Sequence, residues 1–115
     1  MLLLNIQDKW LQKIIAGAKK VEGRKYKKEY AEAVGQIIML KSSTDTIEVK
    51  VVDVRCYPSI EIYLRAEGFS NVLPGVATFE EALHIYRDFQ HADPDVADEM
   101  IKRAGGIVAM EIERV

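Results

Sequence analysis

Residues 35–55 read GQIIMLKSSTDTIEVKVVDVR, and this stretch predicts a β-hairpin. An apolar run at 37–40 comes first, turn-forming residues occupy 42–45, and isoleucine and valine recur from 47 to 54. Short runs rich in β-branched residues and bounded by turn residues are typical of strands. The middle of the chain is therefore expected to supply two paired strands of a sheet.

On the N-terminal side of the hairpin, the pattern predicts a strand, a helix and an extended segment. Residues 2–6 are apolar and form a short candidate strand. Asp8 is expected to cap a helix, and Gly17 is expected to end it near Ala16. The apolar stripe of this helix consists of Trp10, Leu11, Ile14 and Ile15. Residues 19–25 are expected to be extended, whereas the polar stretch that follows has no clear pattern.

On the C-terminal side, three helices and a closing strand are expected. The helix-start signals are Ser59, the capping-box pair Thr78 and Glu81, and Asp93-Pro94. Residues 107–112 predict the last strand, with Val108, Met110 and Ile112 on one face. This order favours an α+β fold in which a small, partly closed mixed barrel of about five strands carries flanking helices. We expect residues 1–115 to form a single domain.

The composition is that of an ordinary globular domain. Of the 115 residues 49% are hydrophobic and 30% are charged, and the net charge is -2. This charge argues against a protein that coats DNA non-specifically, although it allows a local basic patch. The one cysteine, Cys56, is expected to be a buried thiol in a reducing cytoplasm. The apolar start is too short for an export signal or a membrane span, so a cytoplasmic location and no membrane partner are expected.

The densest cluster of chemically useful side chains lies in the segment from Gly17 to Lys28, which reads GAKKVEGRKYKK. In an extended strand Lys20, Glu22 and Arg24 would share one face, and a turn at Gly17 could bring Lys19 back toward them. An arginine beside a glutamate can orient a planar ligand, and a lysine in a cleft can act as a base. The alternative interpretation is a solvated charged strand that contains an Arg–Glu pair.

The motif Gly17-x-Lys19-x-x-Glu22-x-Arg24, which follows a tryptophan-bearing helix, resembles the G-x-K-x-x-E-x-R signature of the ASCH domains. These domains are a branch of the PUA-like β-barrels. The resemblance continues through most of the chain. It includes the strands that follow Gly35, residues 64–69, Leu73-Pro74-Gly75, the helix at 80–89 and the strand that begins at Gly106.

The resemblance implies a PUA-like barrel of five or six strands with a cleft beside the first helix. It also implies RNA binding or nucleoside processing. Some bacterial members hydrolyse N4-acetylcytidine with a lysine, a threonine and a glutamate, and others are associated with RNA cleavage. Lys19 matches the catalytic lysine, Glu22 occupies the position of the threonine, and the family's glutamate falls near Glu67. Without the threonine hydroxyl no covalent acyl intermediate can form at that position.

Three functions follow as hypotheses. The first is an RNA- or nucleoside-binding module whose contacts are Trp10, Lys20, Arg24, Lys25, Tyr26, Lys27 and Lys28, with Tyr30 as a further stacking candidate. The second is an amidohydrolase or RNA-cleaving hydrolase in which Lys19 is the base, Glu22 activates water and Glu67 assists. The third is a non-catalytic protein-interaction domain, and the sequence leaves the oligomeric state open.

Cofactor and metal signatures are not found in the sequence. There is no Walker loop, Rossmann fingerprint or serine elbow, so we expect no nucleotide cofactor and no other cofactor. His84 and His91 have no cysteine or carboxylate at a ligand spacing, so we expect no metal site. The carboxylates Asp93, Asp95, Asp98 and Glu99 are interpreted as capping residues at a helix start.

Overall fold

The predicted hairpin forms the middle of a five-stranded sheet in the computed structural model, which describes all 115 residues. The strands are β1 (Leu3–Asn5), β2 (Val21–Lys25), β3 (Ile37–Lys41), β4 (Thr46–Tyr57) and β5 (Ile107–Arg114). The helices are α1 (Asp8–Ile15), α2 (Lys28–Ala31), α3 (Ile60–Glu67), α4 (Phe69–Val72), α5 (Phe79–Gln90) and α6 (Pro94–Ala104). β3 and β4 pair antiparallel with Ile38 opposite Val49, so the hairpin prediction is confirmed.

The sheet has the strand order β1-β3-β4-β5-β2 and curls into a half-barrel. β1 runs parallel to β3, and the other neighbouring strands are antiparallel. The two edge strands, β1 and β2, approach each other across a seam, since Arg24 Nη2 on β2 donates to the carbonyl oxygen of Asn5 on β1 at 2.7 Å. The predicted α+β fold with a five- to six-stranded PUA-like barrel is confirmed, with five strands and six helices.

Two hydrophobic clusters lie on opposite faces of β5. Val108, Met110 and Ile112 belong to the cluster that β5 forms with α1 and the hairpin, in agreement with their predicted alternation. Ile107 and Ala109 belong to the second cluster, which includes side chains of α3, α5 and α6. Burying one aliphatic side chain contributes about 1.5–3 kcal/mol, so both clusters hold β5 firmly. β2 pairs with β5 along its whole length and is thereby fixed at the seam.

The helix starts agree with the sequence except at α1. The side chains of Ser59, Thr78 and Asp93 accept hydrogen bonds from amides in the first turns of α3, α5 and α6. The prediction that Asp8 caps α1 is wrong, because the N-cap is Gln7. Asp8 Oδ1 instead accepts from the hydroxyls of Ser42 and Thr44 at 2.6 Å each, so it ties α1 to the hairpin turn.

Several smaller expectations were also wrong. α2 and α4 were missed because each has only four residues, which is too short for a periodic pattern. Cys56 is exposed rather than buried, since it lies next to the end of β4 and belongs to neither hydrophobic cluster. Asp98 pairs with Arg87 and does not cap α6. None of the six helices is long and apolar enough to cross a membrane.

Candidate functional site

A cleft of about 220 Å³ lies at the seam between β1 and β2. α1 and α5 form its walls, and β2 contributes three consecutive residues, Glu22, Gly23 and Arg24. Its charged and aromatic lining residues are Trp10, Lys19, Glu22, Arg24, Tyr86 and Phe89. The cleft exists because the sheet does not close, so the two edge strands leave a gap that the helices only partly cover.

Lys19, Glu22 and Arg24 form a continuous chain of charges in this cleft. Lys19 Nζ lies 3.4 Å from Glu22 Oε1. Arg24 donates to Glu22 Oε2 from Nη2 at 2.8 Å and from Nε at 3.2 Å. The glutamate is therefore held between two cations, and Arg24 also bridges to β1 through Asn5.

The Lys19 ammonium is a structural group as well as part of this chain. Its Nζ donates to the carbonyl oxygen of Val21 at 2.5 Å and to that of Val72 at 2.6 Å. These bonds connect the start of β2 to the end of α4, while the third N–H is left for Glu22. Because both carbonyls and the Glu22 carboxylate can only accept, the arrangement favours the charged ammonium, which has three N–H donors, over a neutral amine, which has two.

Burial sets the electrostatics of this pair. Lys19 and Glu22 are only 3% and 5% exposed, and they are the only buried charged residues of the chain. Desolvation lowers the pKa of Lys19 below its ordinary value, and Glu22 opposes this effect only in part. Desolvation also raises the pKa of Glu22, but Lys19 and Arg24 outweigh it, so this pKa lies below its ordinary value. Glu22 is therefore a carboxylate at neutral pH.

The turn after α1 brings Lys19 into the cleft. Gly17 has a φ of +82°, and the amides of Ala18 and Lys19 both donate to the carbonyl oxygen of Lys13. This reversal places Lys19 ahead of β2, so its side chain is free of the strand's alternation and folds back toward Glu22. The expected face shared by Lys20, Glu22 and Arg24 is not formed, because Lys20 is exposed and lines a separate groove.

Aromatic residues complete the cleft. Trp10 is 4% exposed and lines both this cleft and a neighbouring groove between α1 and α5. Phe89 is 43% exposed at the mouth. Tyr86 lines the interior, and its hydroxyl lies 2.8 Å from that of Tyr63, which packs beneath Gly23. The site thus combines buried charge with apolar aromatic surface.

Known proteins match this chain along nearly its full length. The family model of the ASCH domain matches residues 4–115. The chain belongs to the ASCH domain family. The predicted family membership is thereby confirmed.

Two solved structures resemble this ASCH domain closely. The crystal structure of hypothetical protein PH0355 has 36% sequence identity and a TM-score of 0.84, and the match covers 99% of this chain and 98% of that one. The solution NMR structure of protein PF0455 from Pyrococcus furiosus has 32% identity and a TM-score of 0.73, with 99% and 96% covered. No curated protein matches the chain.

The remaining predicted basic and aromatic residues of the ASCH domain lie outside the cleft. Five of them lie in the short helix α2 or just before it, and none of the five lines the cavity: Lys25, Tyr26, Lys27, Lys28 and Tyr30. The two tyrosines pack against the hydrophobic cluster of α1 and the hairpin, and Lys27 lies over the ring of Tyr30 at 5.6 Å. Of the predicted basic contacts only Arg24 lines the cleft, and a role for the lysines near α2 in ligand binding stays a prediction.

Glu67 is also separate from the cleft. It accepts from Arg55 Nε at 2.6 Å and Nη2 at 2.8 Å, and from the hydroxyl of Tyr57 at 2.5 Å. The hydrogen bonds from Arg55 hold the pKa of Glu67 below its ordinary value. Glu67 faces the groove that Lys20 lines, and Lys19 lines both that groove and the cleft, so Glu67 shares a cavity with Lys19 but not with Glu22.

The sequence did not indicate the contribution of α5 to the cleft. The helix supplies Tyr86 and Phe89, and nothing in the local sequence connects these residues to β2. His84 is exposed and lines the neighbouring groove, while His91 Nδ1 accepts from the amide of Asp93. Only the tertiary packing of α5 beside the seam identifies Tyr86 and Phe89 as lining residues.

Proposed function

We propose that this ASCH domain binds a nucleoside, either free or as one unstacked unit of single-stranded RNA, in the cleft at the β1–β2 seam. The observation that carries the proposal is the buried Lys19–Glu22 pair on the floor of an open cleft, together with the partly exposed Arg24 that pairs with the same glutamate. A buried ion pair often fails to offset the cost of its desolvation, and perturbed charged groups cluster at functional sites.

The size and lining of the cleft support a nucleobase as the ligand. Pockets for drug-sized ligands span about 300–1,000 Å³, and this cleft is smaller, at about 220 Å³. Single-stranded RNA is recognised mostly by stacking on aromatic side chains and by hydrogen bonds to base edges. Trp10 and Phe89 offer the aromatic surface, and Arg24 offers hydrogen bonds.

The local charge supports an attached phosphate. Lys19 and Arg24 carry two positive charges and Glu22 one negative charge, which leaves the site with one positive charge in a chain whose net charge is -2. A positive site on an acidic protein attracts an anionic ligand to one place. Binding of RNA is therefore expected to weaken as salt increases.

Hydrolysis is less well supported than binding. A general base needs a free lone pair that faces the substrate. Lys19 Nζ donates to the carbonyls of Val21 and Val72, both at 2.6 Å or shorter, and its third direction faces Glu22, so no lone pair is left to face a substrate. We therefore assign Lys19 to holding Glu22 and the backbone, and we treat hydrolysis of N4-acetylcytidine or of RNA as an outcome of the test below. A cytoplasmic location stays a prediction.

The variant Arg24→Gln is expected to bind single-stranded RNA about 10- to 100-fold more weakly than the wild type, because hydrogen bonds to a charged group contribute about 1.5–3 kcal/mol. Fluorescence anisotropy of a labelled mixed-sequence oligonucleotide measures the affinity, and mass spectrometry of the same samples and of added N4-acetylcytidine detects any product. Circular dichroism checks the fold.

The matched control is Lys28→Gln, which removes an exposed cation of α2 whose side chain is 85% exposed. It is expected to change the affinity less than threefold. Unchanged binding in a folded Arg24→Gln variant would place the ligand elsewhere. A product that forms with the wild type and not with Arg24→Gln would show a hydrolase, and no binding by the wild type would favour a protein-interaction domain.

A further inference from the structure

The polar groups that remain free on the floor of the cleft are hydrogen-bond donors. Arg24 uses Nε and Nη2 on Glu22 and Asn5, and its Nη1 makes no hydrogen bond within the protein. The indole N–H of Trp10 also donates to no protein atom, and no buried side-chain nitrogen or oxygen of the chain lacks a partner. The Trp10 N–H is therefore accessible, and Trp10 lines the cleft and the adjoining groove.

A third donor follows from counting protons on the tyrosine pair. The hydroxyls of Tyr63 and Tyr86 lie 2.8 Å apart, and only one proton can occupy the bond between them. Neither hydroxyl has another side-chain or carbonyl acceptor, so the second proton is unused within the protein. Tyr63 is fully buried beneath Gly23, whereas Tyr86 lines the cleft. Because the buried Tyr63 hydroxyl is satisfied as a donor only when it donates to Tyr86, we assign the spare proton to Tyr86, which is itself only 3% exposed. Burial raises the pKa of both hydroxyls, so both stay protonated at neutral pH.

Glu22, the fixed acceptor of the cleft, is largely occupied. Glu22 Oε1 faces the Lys19 ammonium, and Oε2 accepts two N–H groups of Arg24. Three of the roughly four acceptor sites of a carboxylate are thereby used. The carboxamides of Asn5, Gln7 and Gln90 line the mouth and make no side-chain hydrogen bonds, but an amide can donate as readily as accept. The floor of the cleft thus offers hydrogen-bond donors, and a ligand that fits it must supply hydrogen-bond acceptors.

We propose that the cleft selects bases that carry a keto oxygen over bases that carry an amino group at the same ring position, with the Tyr86 hydroxyl as the determinant. Guanine is then preferred to adenine, and uracil to cytosine. A keto oxygen accepts from Tyr86 and Arg24, whereas an amino group would place donor against donor and leave both unpaired. This inference rests on the proposed nucleoside function, since it specifies the ligand of the same site.

The test compares four nucleosides by isothermal titration calorimetry on the wild type, Tyr86→Phe and Tyr57→Phe. We expect the wild type to bind guanosine at least tenfold more tightly than adenosine, and uridine more tightly than cytidine by a similar factor. Tyr86→Phe should reduce both ratios to less than about threefold, because it removes the donor and keeps the ring. Tyr57→Phe is the matched control, since the Tyr57 hydroxyl donates to Glu67 outside the cleft, and it should keep both ratios.

The outcomes separate this inference from the function on which it rests. Binding without a keto preference, a preference for the amino bases, or a preference that persists in folded Tyr86→Phe would overturn the inference and leave the nucleoside site intact. Absence of binding by the wild type to all four nucleosides and to RNA would overturn both.

Discussion

The variant Lys19→Met is expected to lose about 3–5 kcal/mol of its free energy of unfolding, which is the usual cost of removing one partner of a buried ion pair. Methionine can fill the space of the lysine stem, so the loss arises from the missing ammonium rather than from a cavity. Without the ammonium, the carbonyls of Val21 and Val72 lose their donor, and Glu22 keeps only Arg24 as a counter-charge. Small domains have a total stability of only about 5–15 kcal/mol, so this loss is a large fraction.

Unfolding in urea, followed by circular dichroism at neutral pH, measures this effect. The matched control is Lys28→Met, because Lys28 pairs with Glu32 at 3.7 Å on the exposed surface of α2. That variant should lose no more than about 0.5 kcal/mol. A loss below about 1 kcal/mol for Lys19→Met, which is the cost of an ordinary hydrogen bond, would contradict the structural role of the ammonium.

The second large effect is expected from Gly23→Ala in the middle of β2. A Cβ atom at this position would lie 2.2 Å from the Tyr63 hydroxyl and 2.4 Å from the ring carbon that bears it. Tyr63 cannot move aside easily, since it is fully buried and packs edge-on against Tyr86. We expect a loss of about 3 kcal/mol in stability, at the upper end of overpacking costs. Binding should fall too, because Gly23 lies between Glu22 and Arg24 on the cleft floor.

A double-mutant cycle with Tyr63→Leu identifies the cause. Leucine removes the ring and the hydroxyl, so the cost of Gly23→Ala should shrink by at least about 1 kcal/mol in the Tyr63→Leu background, as expected of residues in contact. Equal costs in the two backgrounds, or a Gly23→Ala variant as stable as the wild type, would show that β2 and Tyr63 are not packed as described.

Local sequence patterns were sufficient for most of the framework. The hairpin at 35–55 has both β-branched periodicity and turn residues, and Ser59, Thr78 and Asp93 cap helices through bonds to amides two or three residues away. Such interactions join residues that are close in the sequence, so local patterns are enough to predict them. Asp8 shows the limit of this reasoning, since its partners, Ser42 and Thr44, are more than 30 residues away.

The candidate site was predictable in part for the same reason. Glu22 and Arg24 are two residues apart on one strand, and their pairing follows from the period of a strand. Lys19 joins them only because the turn at Gly17 reverses the chain, and Glu67 stays apart only because Arg55 and Tyr57 hold it. The contribution of Tyr86 depends on how α5 packs beside the seam, which no local pattern contains.

Trp10 is a single reporter for a nucleobase that enters the cleft at the β1–β2 seam. Trp10 is the only tryptophan of the chain and lines this cleft and the adjoining groove, so its indole N–H gives one resolved resonance that reports on this region. The direct measurement is the ¹H–¹⁵N shift of that N–H during titration with single-stranded RNA. We expect a saturable shift whose midpoint moves to an RNA concentration about 10- to 100-fold higher in Arg24→Gln. RNA binding that leaves the Trp10 resonance unmoved, while amides around α2 shift, would contradict this expectation.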